Sequence, residues 1–287
     1  MKCASSFASR LGLRSPSFYT FVVHADVTGK VNAGGREWPF LHALGRPALP
    51  PRVRIGGREF AIERFVKHDF FAATGFYTDT ATGQRVVVKI ARTESLLGVP
   101  MRWLGYLICR RELGFYRRLA DLPCVPTVIG PIGKTGFAHT YVAGRPLERG
   151  VAVPDGFFDE LLATINTLAA RGMAVVDTQK PENILLGDDG RPHLIDFQIS
   201  YDTRWLVGLW PARVLLRVFV NADRYHVLKH KLRLRPDLMT DADRRVVQNR
   251  TWPVRLHRTL TRPYFVLRRR LFAHLRAAGR LMPEGSK

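Results

Sequence analysis

The sequence predicts an α+β protein, β-rich in its first half and mainly helical in its second, and three observations carry that prediction. Short apolar runs, alternating or continuous and bounded by Gly, Asp and Thr, crowd positions 58–142. From Asp155 onward, apolar residues recur at the three- and four-residue spacing of helices. Between the two regimes, residues 172–200 (GMAVVDTQKPENILLGDDGRPHLIDFQIS) hold polar residues around two β-runs and a Gly/Asp turn. With 287 residues and 46% hydrophobic content, the chain can bury the core of one two-lobed domain or of two ordinary ones.

Residues 1–51 read as a poorly ordered N-terminal extension. Positions 1–14 carry Ser and Arg but no acid, the apolar run 18–23 is too short for a signal sequence, and Pro47, Pro50 and Pro51 close the segment. Phe60, Ile62 and Phe65 then mark a first strand, residues 75–78 begin a second, and 85–90 (RVVVKI) form a third. A helix is expected over about 102–120, with Leu104, Ile108, Phe115 and Leu119 on one face and Glu112 among them. A carboxylate on an apolar stripe is costly unless a cation meets it, and Lys89, sharing a strand face with Val87 and Ala91, is the cation nearest at hand. Two more strands (126–132 and 137–142) precede a helix that Asp155 opens and Gly172 closes, carrying Phe158, Leu161, Leu162, Ile165 and Leu168.

In residues 172–200, runs 184–186 and 193–195 flank the turn 187–190 as a hairpin, which brings the Asn183 amide oxygen and the Asp196 carboxylate together. Oxygen ligands of this kind suit Mg²⁺. The ordered set Lys89, Glu112, Asp177, Asn183 and Asp196 resembles the protein-kinase-like superfamily, and Lys180-Pro181-Glu182-Asn183 reads like its catalytic loop. The resemblance implies a two-lobed protein-kinase-like fold, with an antiparallel β small lobe (52–142) and a mainly helical large lobe (143–287). It further implies ATP and Mg²⁺ as cofactors, Asp177 as the catalytic base, and Asn183 and Asp196 as metal ligands. Nucleotide binding falls to Lys89 and Glu112 at the phosphates, and to the backbone of Tyr141 and Val142 at the adenine.

Departures from the pattern are specific. Asn183 and Asp196 lie 13 positions apart, as in kinases, but five residues rather than four separate Asp177 from Asn183. Either the loop holds an extra residue or Thr178 occupies the catalytic position and the chain is inactive. The segment 67–75, where a Gly-rich phosphate loop belongs, has one glycine, Gly75. Val175 and Val176 replace the usual His and Arg, and Gln198 replaces the final Gly of the metal motif. No Ala-Pro-Glu signature follows. These features are similar to those of atypical bacterial relatives such as lipopolysaccharide-core kinases. The expected reaction is γ-phosphoryl transfer to a hydroxyl, on a glycolipid sugar or on Ser/Thr; a nucleotide-binding pseudokinase is the alternative.

Helices are expected over 205–220, after the cap at Thr240, and over 263–280. Asp223-Arg224-Tyr225-His226 with Lys229-His230-Lys231 reads as a local basic cluster, its histidines and lysines either solvated or holding a phosphorylated acceptor. Lys and Arg number 45 against 24 Asp and Glu, and residues 203–287 alone hold 20 against 5, which points to an anionic partner or peripheral contact with an acidic membrane surface. Charge alone supports nucleic acid; no recognition module does. Three cysteines without paired spacing fit a cytoplasmic protein.

Overall fold

The computed structural model describes residues 42–45, 49–96, 98–204 and 209–248. Strands β1 (Arg52–Ile55) and β2 (Arg58–His68) are joined by Gly56 and Gly57 at φ 56° and 82°, a left-handed turn that disfavours side chains. With β3 (Ala72–Asp79), β4 (Arg85–Ala91), β5 (Val128–Ile132) and β6 (Gly136–Thr140) they form one antiparallel sheet of six strands, ordered β1-β2-β3-β4-β6-β5. The strand expectations hold; the short β1 is additional.

The valine-rich β4 decides which way the sheet faces. Val86, Val88 and Ile90 join Val53, Ile55, Phe60, Tyr77 and Ala138 in a core on one side. Val87, Lys89 and Ala91 therefore point to the other, where helix α1 (Arg102–Arg118) packs. A Cβ on Gly105, in the first turns of α1, would lie 1.8 Å from the Arg92 carbonyl oxygen, so helix and chain meet there backbone to backbone.

The helical part is built on a second core. Phe115, Tyr116 and Leu119 of α1 and its end pack with Phe157, Phe158, Leu161, Ile165 and Leu168 of α2 (Phe157–Ala170). Val220 and Val227 of α3 (Trp210–Leu234) complete it, and each such side chain contributes about 1.5–3 kcal/mol on burial. Between α2 and α3 the expected hairpin appears as β9 (Ile184–Gly187) and β10 (Pro192–Leu194), with β7 (Gly144–Pro146) pairing on the other edge of β9. Strand β8 (Met173–Ala174) pairs with β11 (Tyr201–Asp202). The last described helix, α4 (Asp241–Gln248), is capped as expected: Asp243 donates its N–H to the Thr240 hydroxyl at 3.1 Å, and Thr240 N–H reaches the Asp243 carboxylate at 3.2 Å.

Several expectations change. Asp155 does not open α2; Gly156, at φ 79°, precedes it, while Asp155 pairs with Arg235 at 2.6 Å. Helix α3 runs on to Leu234. The basic cluster is split by α3, which crosses the core: Asp223, His230 and Lys231 are buried while Arg224 and Lys229 are exposed, and Lys231 is neutralised by Asp159 and Asp243 at 3.3 and 3.1 Å. Of the stretch 1–51, residues 42–45 and 49–51 pack on the sheet. Ala43 and Leu49 are buried, and Ala43 gives its N–H to Asp69 O (3.0 Å) while its carbonyl accepts from Thr93 (2.8 Å). The remainder of that stretch, the start of the 205–220 helix and the whole 263–280 helix lie outside the described residues. Among the described residues no helix is long and apolar enough to cross a membrane.

Candidate active site

The β4 alternation that buries three apolar side chains on one side delivers Lys89 to the other, facing α1 and the end of the hairpin. Its ammonium donates to Glu112 Oε1 at 2.7 Å and to Asp196 Oδ1 at 2.8 Å. One cation thus serves two carboxylates, leaving the group net negative when all three are charged. Burial works against the Lys89 charge, yet Asp196 and Glu112 outweigh it and raise its pKa above the ordinary lysine value. The two carboxylates are shifted in opposite directions. Glu112, almost wholly enclosed, is pushed up to about 7 by desolvation, with Lys89 only partly offsetting it. Desolvation also opposes the charge of Asp196, but Lys89 prevails and holds it at about 2.

The hairpin brings the remaining residues in. Ile195 donates its N–H to Asn183 O at 3.0 Å, fixing the two ends of β9 and β10 side by side, and Asp196 N–H reaches the buried Tyr116 hydroxyl at 3.2 Å. Asp177 is buried beside them: its Oδ2 accepts from Lys180 Nζ at 2.5 Å and from Asn183 Nδ2 at 3.2 Å. Thr178 turns the opposite way, its hydroxyl donating to Asp223 Oδ1 at 2.8 Å and its carbonyl meeting His230 Nε2 at 3.0 Å. Between these two directions the chain turns, with Lys180 N–H reaching Asp177 O at 3.2 Å. Asp177, and not Thr178, is on the side of Asn183.

Two strained residues flank this arrangement. Val176 and Asp196 sit at φ 72° and 65°, a region that side chains, β-branched ones above all, avoid. At Val176 the conformation is held by Asp223, whose Oδ2 accepts from the N–H groups of Val175 (2.9 Å) and Val176 (3.1 Å). Sequence reasoning missed this role. The signal was there, since Asp223 lies on the same helical face as Val220 and Val227, the pattern that singled out Glu112.

The roof of the cleft departs from a Gly-rich loop. Strands β2 and β3 extend to a tight turn in which Asp69 Oδ1 accepts from Phe71 N–H and Ala72 N–H, both at 2.8 Å. Buried Arg92 fastens the turn from below, donating to Phe70 O at 2.9 Å with its guanidinium 3.9 Å from the Phe70 ring centre. Beyond β6, Tyr141 N–H is directed at Arg85 O (3.4 Å), and its ring lies edge-on to Phe76 and under the Arg85 guanidinium. Val142 follows in an irregular, half-buried stretch. A cavity of about 480 Å³ between Arg145, Pro154 and Asp188 lies outside this cleft.

No known protein family matches the sequence, and no curated protein does. Solved structures do. The Rio2 kinase–ADP/Mg²⁺–phosphoaspartate complex from Chaetomium thermophilum aligns at 18% identity over 63% of this chain and 58% of its own, with a TM-score of 0.47. The BubR1 kinase domain aligns at 15% identity over 67% of this chain and 66% of its own, with a TM-score of 0.48. The antiparallel sheet, the helical part below it and the Lys89 bridge between them agree with the sequence reading. The fold is α+β, a six-stranded antiparallel sheet with a mainly helical part. The chain spans 58% of the length of the Rio2 complex protein.

The Mg²⁺ that the resemblance implies would draw on the donor set of this cleft. Among the described residues no three His, Cys, Asp or Glu are grouped to hold a metal ion by themselves. One carboxylate, Asp196, and the Asn183 amide oxygen, which is not spent on the bond to Asp177, suit a hard cation that keeps waters and takes phosphate oxygens.

Proposed function

We propose that the protein is an ATP-dependent phosphotransferase that moves the γ-phosphoryl group to a hydroxyl. The observation that carries this reading is the Lys89 ammonium bonded to both Glu112 and Asp196, with Asp177 alongside Asn183 and Lys180. Lys89, fixed by Glu112, binds the α- and β-phosphates. Asp196 and Asn183 would hold Mg²⁺, which supplies charge neutralisation on the phosphates. Asp177 orients the acceptor hydroxyl and takes its proton as the acceptor oxygen bonds to the γ-phosphorus and the β–γ bridging bond breaks, releasing ADP. Lys180 stands beside that carboxylate, where negative charge is being transferred. Half-buried Val87, two residues before Lys89 on the same face, together with Phe76 and the backbone of Tyr141 and Val142, forms the base site.

The acceptor is a sugar hydroxyl of an anionic glycolipid, with Ser/Thr hydroxyls as the other class. The start of α3 supports a lipid surface: Leu209, Trp210, Val214 and Leu215 are exposed there together with Arg213 and Arg217, the mixture of apolar and cationic groups that suits an acidic membrane interface. The likeness to lipopolysaccharide-core kinases and a cytoplasmic, peripheral location belong to this reading. A second reading, a pseudokinase that binds nucleotide without transfer, draws on the extra residue after Asp177 and on the lid N–H groups already taken by Asp69.

Calorimetry with and without Mg²⁺, alongside phosphoryl transfer to glycolipid and peptide acceptors, decides between them. Asp177→Ala is expected to lower turnover by ~10²–10⁴-fold with Mg·ATP still bound. Asp196→Ala is expected to abolish metal-dependent binding and turnover together. Wild-type protein that binds Mg·ATP and transfers to no acceptor selects the pseudokinase.

A further inference from the structure

The lid has lost the usual means of holding phosphates. Its turn contains no glycine, and the Phe71 and Ala72 N–H groups are both bonded to the Asp69 carboxylate, so they are not free to meet an anion. A cation stands in the same place. In the sheet register Lys67 of β2 pairs with Thr74 of β3, and Thr74 pairs with Lys89 of β4. Residues directly opposite one another across a sheet point to the same face, so Lys67 shares the cleft face with Lys89, two strand spacings away, or about 10 Å. The Lys67 ammonium is partly exposed and is held at 3.0 Å by the Asp69 carboxylate.

We propose that Lys67 is the phosphate-binding group of the lid, a side-chain cation that replaces the backbone N–H groups of a Gly-rich loop and contacts the terminal phosphates of the nucleotide. The inference rests on the nucleotide-binding reading above. Lys67 enters from the roof, Lys89 from the sheet and Lys180 from the floor. The charges of Lys67 and Lys180 also act on Asp196 from those two sides, with Lys89 the strongest of the three. In the absence of phosphate, Asp69 holds the Lys67 side chain over the site. A phosphate oxygen then competes for an ammonium that is already in position. The arrangement favours di- and triphosphates over the bare nucleoside, because Lys67 lies on the roof and makes no part of the base site.

The test is calorimetry on the full chain with adenosine, Mg·ADP and Mg·ATP. Lys67→Met is expected to weaken Mg·ATP by about ten- to hundredfold, the worth of a charge-assisted hydrogen bond, while adenosine affinity stays constant. Lys67→Arg should restore most of the loss. Asp69→Asn keeps an oxygen for Phe71 and Ala72 but frees Lys67, and should tighten Mg·ATP. Unchanged Mg·ATP affinity in Lys67→Met, or an equal loss for adenosine, overturns the assignment while leaving the nucleotide site intact. A wild-type chain that binds neither adenosine nor Mg·ATP overturns the nucleotide reading, and the role of Lys67 with it.

Discussion

Two buried carboxylates, Glu112 on α1 and Asp223 on α3, are handled by the protein in opposite ways. Glu112 meets a cation, Lys89, which it shares with Asp196. Asp223 is bonded instead by two backbone N–H groups and the Thr178 hydroxyl. An ammonium on a flexible stem can redistribute between carboxylates and an incoming phosphate, so the first arrangement adjusts to a ligand. Backbone N–H groups cannot, so the second fixes the path of residues 175–178 and with it the direction of Asp177. On the proposed function, one carboxylate serves binding; the other serves position.

The largest effect on this comparison should come from Asp223→Ala. It leaves two N–H groups and a hydroxyl buried without their acceptor and removes what holds Val176 at positive φ. A loss of about 3–5 kcal/mol in unfolding free energy is expected by chemical denaturation. In whatever fraction remains folded, turnover should fall more than Mg·ATP affinity; a stability change below about 1 kcal/mol would erase the distinction drawn here.

A smaller effect is expected from pH. Burial raises Asp223 from 3.8 to about 6, the bonds from Thr178, Val176 and Val175 only partly offsetting it. The unfolded chain releases this proton near 3.8 and the folded chain near 6, so between those values the folded state binds more protons. Stability owed to Asp223 is therefore full below about 4, declines as pH rises to about 6 and is level above, a change of up to about 3 kcal/mol. Asp223→Asn should lack that slope when the two proteins are unfolded side by side at a series of pH values. Parallel profiles would mean that Asp223 is ionised throughout.

Smallest in stability is Glu112→Gln. Shape is kept and Lys89 retains Asp196, so unfolding should change by less than about 1 kcal/mol, in contrast to the several kcal/mol typical when a buried charge loses its only partner. The effect should appear in the ligand: Mg·ATP affinity lower by about tenfold, measured by calorimetry. A large destabilisation instead would make Glu112 a structural group like Asp223.

The same contrast explains what could be read from the sequence. Lys89 and Glu112 were legible because each sits in a regular element, where period two and period 3.6 assign a face and a buried charge demands a partner. The hairpin that joins Asn183 to Asp196 was legible through its Gly/Asp turn. The direction of Thr178 was not, since it depends on Asp223, some 45 positions away, and Asp223 was grouped with the basic residues beside it rather than with Val220 and Val227. The lid was unreadable for a related reason: composition revealed the missing glycines, but the register that carries Lys67 onto the face of Lys89 belongs to three paired strands. The segment around Ala43 looked like an extension because its partners, Asp69 and Thr93, come later in the chain.

The contact at Gly105 makes α1 a lever. Where a Cβ would lie 1.8 Å from the Arg92 carbonyl oxygen, helix and chain are in backbone contact, and that contact is the natural fulcrum for any tilt of the helix. Glu112 is seven residues further on, so the arm is about 10 Å long, and a tilt of about 10° would carry the carboxylate about 2 Å. That is most of the 2.7 Å now separating Glu112 from Lys89. A load on the exposed outer side of α1, where Trp103 and Leu107 face outward near the fulcrum, would thereby be geared to the ion pair further along the helix.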